Sequence, residues 1–183
     1  MKVFVHLAEG FEEIEAITVV DVLRRVNIEV ETVSVTGKME VTGGHGITVT
    51  ADRLFEDTDY SLGNMIVLPG GMPGTKNLYK HTDLSTKLKE YSESGKWIAA
   101  ICAAPSIIGK LGLLRDRDAT CYPGFEQELE GAKVCSLPVV NSGKIITSRG
   151  PGTAIKFALK LVEVLKGEKT SEELKDSMIA KEG

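Results

Sequence analysis

Three stretches of this chain carry residue types that do covalent chemistry. "KWIAAICAAPSIIG" holds Cys102, "AEGFEEIEA" holds Glu9, Glu12, Glu13 and Glu15, and "LPGGMPG" holds Gly70 and Gly71. A thiolate is a strong nucleophile, a carboxyl group moves protons, and a glycine backbone brings N–H groups close to developing negative charge. Cys102 stands between an apolar run, Lys96 to Ile101, and a helical pattern that starts at Ala103 and Ala104 and continues through Ile107, Ile108 and Leu111. Its side chain is therefore expected at the carboxyl end of a strand, beside the unpaired N–H groups of a helix start. A nucleophile elbow has this layout, and the small Ala103 and Ala104 let such a turn close. The position predicts a thiol that ionises readily. Cys121 and Cys135 lie in an irregular stretch and read as structural thiols.

Glu15 is the informative acid. On a helix it shares a face with Val19, Val22 and Val26, which turns its carboxyl toward apolar packing. A helix-start acid with a partly buried stem satisfies that pattern. So does a carboxyl held beside the thiol, with a pKa raised because burial disfavours its charge. Glu12 and Glu13 read as first-turn acids favoured by the helix dipole. Gly70 and Gly71 either simply end a strand or permit a backbone approach too close for a side chain, with N–H groups serving as an oxyanion hole.

The elements that must position these residues alternate. Lys2 to Leu7 reads as a strand, and Phe11 to Val26 has helical apolar spacing at Ile14, Ile17, Leu23 and Val26. Ile28 to Val35 is a second strand, "GHGITVTAD" a short one after a glycine turn, and Met65 to Gly71 a nearly continuous apolar strand. Thr82 to Gly95 is a helix with a glycine stop, followed by the cysteine strand and its helix. Lys144 to Ser148 is a late strand, and "GPGTAIKFALKLVEVLKG" a periodic helix closed at Gly167. Thr170 with Glu173 looks like a capping box opening a last charged, solvated tail helix. Asp116 to Val140 has no clear pattern. Strands that are apolar throughout and alternate with helices predict a mostly parallel sheet covered on both faces, a three-layer α/β/α sandwich. With no linker or repeat, residues 1–183 are expected to form one domain. In such sheets ligands sit outside the carboxyl ends of the strands, where all three chemistry-bearing stretches fall.

A net charge of −4 argues against nucleic acid as a partner, because phosphate binding needs a basic field. No apolar run approaches a membrane span, and the N-terminal apolar run is too short for a signal peptide, so a cytoplasmic protein is expected. Three cysteines cannot all pair, and a reducing cytosol keeps them as thiols. No C-x-x-C pair occurs and His6, His45 and His81 are scattered, so no metal site is expected. His6, within a strand, reads as a hydrogen-bonded core residue.

Taken in order, "EEIEA", "LPGG", "AAICAAP" and "TSRGPGTA" resemble the DJ-1/ThiJ/PfpI superfamily over nearly the whole chain. Within it, the chain is most similar to the branch of the Parkinsonism-associated deglycase and its small bacterial relatives. The resemblance implies a flavodoxin-like fold, a homodimer and no cofactor. It places the reactive cysteine on Cys102, the helix-one glutamate bonded to its sulfur on Glu15, and the oxyanion-binding N–H groups on Gly71 and Ala103. The implied activity is a glutathione-independent glyoxalase or deglycase acting on 2-oxoaldehydes such as methylglyoxal or on glycation adducts. The implied alternative is an oxidation sensor or chaperone-like protein using the same cysteine. Ala103 stands where the peptidase-like branch has a histidine, so a peptidase lacks its base. Tyr122 in "ATCYPGF" replaces the branch's histidine and removes a histidine-assisted proton transfer. Ala104 replaces a glycine and is expected to tighten the pocket, to which Gly70, Tyr122 and Arg149 also belong. His45 falls where the branch has an arginine near the dimer interface.

Two further motifs are set aside. "RGPGTA" lacks the third glycine of a dinucleotide fingerprint, so it reads as a tight turn with Arg149 reaching a neighbouring loop or subunit. "GGMPGTK" fails the order and spacing of a phosphate-binding loop. Arg24 and Arg25 complement the dipole of the first helix.

Overall fold

The computed structural model describes residues 1–180. Strand β1 (Lys2–Leu7) leads into helix α1 (Glu13–Arg25), and β2 (Glu29–Ser34) returns beside β1. A small hairpin, β3 (Glu40–Thr42) and β4 (Thr48–Thr50), and the short β5 (Arg53–Leu54) follow. Next come β6 (Met65–Leu68), α2 (Gly74–Lys80), α3 (Thr82–Glu93), β7 (Trp97–Ile101) and α4 (Pro105–Lys110). The last third holds β8 (Asp118–Ala119), β9 (Lys133–Val134), β10 (Val139–Ser142), β11 (Ile145–Ser148), α5 (Ala154–Lys166) and α6 (Glu168–Ser177). The main sheet has seven strands in the order β10-β11-β7-β6-β1-β2-β5, all parallel except for the antiparallel β10–β11 pair. This is the flavodoxin-like order with one extra strand at each edge.

The apolar strands are explained by burial on both faces. Val3, Val5 and Leu7 of β1 face the core under α1 and α5, while Phe4 faces the other core with Leu78, Leu84 and Ile107. Strands β6 and β7 alternate in the same way: Met65, Val67, Ala99 and Ile101 on one side, Ile66, Leu68, Ile98 and Ala100 on the other. Among the described residues no helix is long and apolar enough to cross a membrane.

Several expectations need correcting. In α1 the residues turned inward are Glu15, Ala16, Val19, Val20, Val22 and Leu23, whereas Ile14 and Ile17 are exposed. The helix carries an apolar face toward the sheet and a second one outward, and periodicity alone does not tell them apart. Arg24 and Arg25 do stand in the last turn of α1, where they complement its dipole, and in addition Arg24 donates to the Val30 carbonyl and pairs with Asp52 while Arg25 pairs with Asp21. Helix α6 begins at Glu168, directly after Gly167 at φ 94°, so Thr170 and Glu173 lie inside it and form no capping box. Its Ser171 and Leu174 are buried, Ser171 donating to the Leu159 carbonyl of α5, and so the helix is not wholly solvated. The end of the expected tail, residues 181–183, lies outside the described residues. Helix α2 was missed because Gly-Met-Pro-Gly looks like loop, and the short bridges β8 and β9 have too little pattern to see.

His6 is a core residue as expected, fully buried, with its Nε2 2.7 Å from the Tyr60 hydroxyl and its ring stacked on Tyr60. Burial, with the nearby His81, pushes its pKa down to about 3. The folded state therefore binds fewer protons than the unfolded chain below the ordinary histidine pKa. This contribution to stability is present above pH 6.5 and is lost as pH falls toward 3. Its full size is about 5 kcal/mol. Urea unfolding from pH 7 to pH 4 is expected to show a flatter acid limb for His6→Leu than for the wild type. Equal slopes would mean that His6 does not titrate with unfolding.

Candidate active site

The carboxyl ends of β1, β6 and β7 meet where the strand order reverses around β1. Cys102 follows β7 directly and adopts φ +67°, a left-handed conformation that costs a non-glycine residue energy and is held here by its surroundings. Its own N–H donates to the Ser148 carbonyl at 2.9 Å, and its carbonyl accepts from the Tyr122 N–H at 2.8 Å. Pro105 then opens α4 at a position where its missing N–H costs nothing. This clamp turns the thiol out of the sheet, and Cys102 is half-buried while Cys121 is buried.

Glu15 is fully buried in the first turn of α1. Its Oε2 accepts from the Gly70 N–H at 2.7 Å, and its carboxyl is hydrogen-bonded to the Cys102 thiol. Its other oxygen, Oε1, is buried with no hydrogen-bond partner. Gly70 is required sterically: a Cβ there would stand 2.6 Å from Cys102 Cβ and 2.7 Å from Glu15 Oε2. Gly71 sits at φ +92°, and a Cβ on it would run into Glu12 N and the Gly10 carbonyl. The N–H groups of Gly71 and Ala103 both point at the Cys102 sulfur.

Burial raises the Glu15 carboxyl to about 7, against the pull of the Gly70 N–H and the thiol. Burial also pushes the Cys102 thiol up, to about 12, reinforced by the charge and hydrogen bond of Glu15 and opposed by the Ala103 and Gly71 N–H groups. The expectation of a readily ionised thiol is therefore corrected. The helix that follows is short, and burial beside a carboxylate outweighs its N–H groups. One negative charge is accommodated between sulfur and carboxyl, and a second is disfavoured. A thiolate here requires that Glu15 hold the proton.

Tyr122 is exposed, and its ring lies against Gly150, whose Cβ would meet Tyr122 Cδ2 at 3.1 Å; it forms a side wall beside the elbow. Arg149 reaches a neighbouring loop, donating to the Ser136 carbonyl at 3.3 Å, and its charge acts on Cys121 rather than on the thiol–carboxyl pair. Ala104 is fully buried under the elbow. Glu13 is a first-turn acid of α1 as expected, but it is also buried and binds the β3–β4 loop. Its Oε1 accepts from the His45 N–H at 2.7 Å, and its Oε2 is 2.8 Å from His45 Nδ1. With Glu12, these side chains place one ligand atom each within 4.8 Å of one another, but Glu13 is already committed to fixing the loop. This clamp joins residues about thirty positions apart and leaves no local signal in the sequence.

The DJ-1/PfpI family matches residues 1–164. Protein DJ-1 homolog B of Arabidopsis thaliana is 39% identical over 180 residues, covering 97% of this chain but 41% of that protein. Homolog A of the same plant is matched over 46% of its length, so the chain spans less than half of these two relatives. A Caenorhabditis elegans relative named glutathione-independent glyoxalase DJR-1.2 is 37% identical over 175 residues, 94% of this chain and 93% of that one. The structure of oxidized Toxoplasma gondii DJ-1 superposes with a TM-score of 0.93 at 37% identity, covering 97% of each chain. By sequence and by structure, the chain belongs to the DJ-1/PfpI family.

Proposed function

We propose that this protein is a cofactor-independent enzyme that converts 2-oxoaldehydes such as methylglyoxal to 2-hydroxy acids, with Cys102 as nucleophile. The observation that carries the reading is the buried Glu15 carboxyl bonded to the Cys102 thiol, faced by the Gly71 and Ala103 N–H groups. The glyoxalase name of the Caenorhabditis elegans relative supports it. Glu15 takes the thiol proton as sulfur adds to the aldehyde carbon, and the two N–H groups hold the resulting oxyanion of the hemithioacetal. Glu15 returns that proton to the oxyanion, then as a carboxylate takes the proton of the former aldehyde carbon and delivers it to the neighbouring carbonyl carbon, while the hydroxyl proton passes to that carbon's oxygen, leaving a thioester. Water releases the 2-hydroxy acid and returns the thiol. A carboxyl raised to about 7 suits both proton steps near neutral pH. Lactate formation from methylglyoxal without glutathione is the test.

The second reading is an oxidation sensor. The same N–H groups and a protonated Glu15 suit a sulfinate on Cys102, formed by successive oxidation with peroxide. Removal of glycation adducts from proteins would use the same thiol on a bulkier substrate.

We also infer a cytoplasmic homodimer that keeps residues 1–183 as one unit. Its support is the exposed apolar set of Ile14 and Ile17 on α1, Ile47 and Ile155, which line grooves of about 470 and 540 Å3. Sedimentation equilibrium is expected to give twice the chain mass for the wild type and a shift to monomer for Ile17→Asp. An unchanged Ile17→Asp dimer would place the interface elsewhere.

A further inference from the structure

The start of α1 carries more negative charge than the proposed reaction uses. Glu9, Glu12 and Glu13 all precede Glu15, and Glu13 is spent on fixing the β3–β4 loop. Glu12 is not. Its side chain is only 13% exposed, and its one ion-pair partner among the described residues is His45, whose Nδ1 lies 3.7 Å from Glu12 Oε2. The same nitrogen bonds Glu13 at 2.8 Å, so a single imidazole serves two carboxylates.

The backbone sets Glu12 against the thiol site. Its N–H donates to the Gly70 carbonyl at 2.9 Å, while the Gly70 N–H donates to Glu15 Oε2 at 2.7 Å. One glycine is thus bonded by both glutamates. A Cβ on Gly71 would stand 2.4 Å from Glu12 N, so Glu12 lies against both glycines of the turn. Glu12 is the N-cap of α1 and Glu15 the third helical residue, two positions whose side chains are neighbours at a helix start. The other charged groups packed around this end are engaged elsewhere. Glu9 accepts from the Thr42 N–H at 3.3 Å, Lys76 of α2 lines a hollow with Lys110 and Glu128, and Lys156 of α5 lines the groove beside Ile14 and Thr18.

We propose that Glu12, with His45 as its counter-ion, is a positioning residue for the proton that Glu15 and Cys102 share. The inference deepens the proposed reaction and rests on its pairing of Glu15 with Cys102. A carboxylate beside the pair opposes the negative charge left when the pair gives up its first proton, and a protonated His45 relieves that opposition. Burial is the main reason that Glu15 titrates at about 7, and the charge of Glu12 adds to it. The hydrogen bond from Glu13 and the charges of both acids raise His45 above its ordinary value, which favours the charged imidazole.

The test is alkylation of Cys102 by iodoacetamide in the full chain, followed by mass spectrometry across neutral pH. It reads loss of the first proton from the pair and requires no turnover. The wild-type rate is expected to rise with a midpoint of about 7. Glu12→Gln keeps the backbone bond to Gly70 and should lower the midpoint by about half a unit, a roughly threefold faster reaction on the acid side. His45→Gln should raise the midpoint. Glu12→Asp keeps the charge and should stay close to the wild type. A merely structural Glu12 would alter the Tm of its variants and leave the midpoint in place. The proposal is overturned if Glu12→Gln leaves the midpoint unchanged or raises it, if Glu12→Asp moves it as far as Glu12→Gln, or if His45→Gln fails to raise it. Midpoints that move as expected in a protein that forms no lactate from methylglyoxal would overturn the enzyme reading alone.

Discussion

Replacing Cys102 by serine is expected to lower glutathione-independent lactate formation from methylglyoxal by at least about a thousandfold. Serine fits the elbow, because its hydroxyl is smaller than the thiol it replaces, and the backbone clamp by Ser148 and Tyr122 does not involve the side chain. It fails chemically, because its hydroxyl gives up a proton far less readily than a thiol. The proton acceptor is Glu15, with a pKa of about 7. Cys121→Ser, at a thiol that burial pushes up to about 11, is expected to leave turnover nearly intact. Survival of turnover in Cys102→Ser would overturn the enzyme reading. If neither wild type nor variant turns over while Cys102 is the first thiol taken by peroxide, the site is a sensor. Peroxide attack at Cys121 or Cys135 before Cys102 would remove that reading too.

The parts of this site that were legible in the sequence share a physical reason. Cys102, Gly70 and Glu15 sit at strand–helix junctions, and junctions are marked locally by a change of hydrophobic period and by glycine. The parallel sheet was legible because strands buried on both faces are apolar throughout. What stayed hidden depends on contacts between distant segments. The Glu13–His45 clamp is one example, and the placing of Glu12 between His45 and Gly70 is another. The direction of the Cys102 pKa was missed for a related reason: its position reveals nearby N–H groups, while the opposing burial and carboxylate come from α1 and the packed fold. Ile14 and Ile17 show the limit of periodicity, since an apolar residue left exposed looks the same in sequence as one facing the core.

Glu15→Gln is expected to lower turnover by about a hundredfold or more while raising stability in alkaline solution. Glutamine keeps the shape and accepts from the Gly70 N–H through its carbonyl, but it neither takes the thiol proton nor returns it. The stability effect follows from the raised pKa. Between 4.5 and about 7 the folded state holds a proton that the unfolded chain has lost. The stabilisation from neutral Glu15 is thus full below pH 4.5 and lost as pH rises through 7, a change of about 3 kcal/mol. The His6 contribution runs the opposite way in an overlapping window, so Glu15→Gln must be compared with wild type at each pH rather than across pH. Urea midpoints compared at each pH are expected to put the variant further ahead of wild type at pH 8 than at pH 5. The limb of the pH–rate profile near neutrality should vanish with the carboxyl. A buried acid kept only for packing would produce neither result, since its replacement by an isosteric amide would leave turnover untouched. A carboxyl that costs stability at the pH where it speeds the reaction is positioned for its proton, and opposite movements of stability and turnover are the signature to look for.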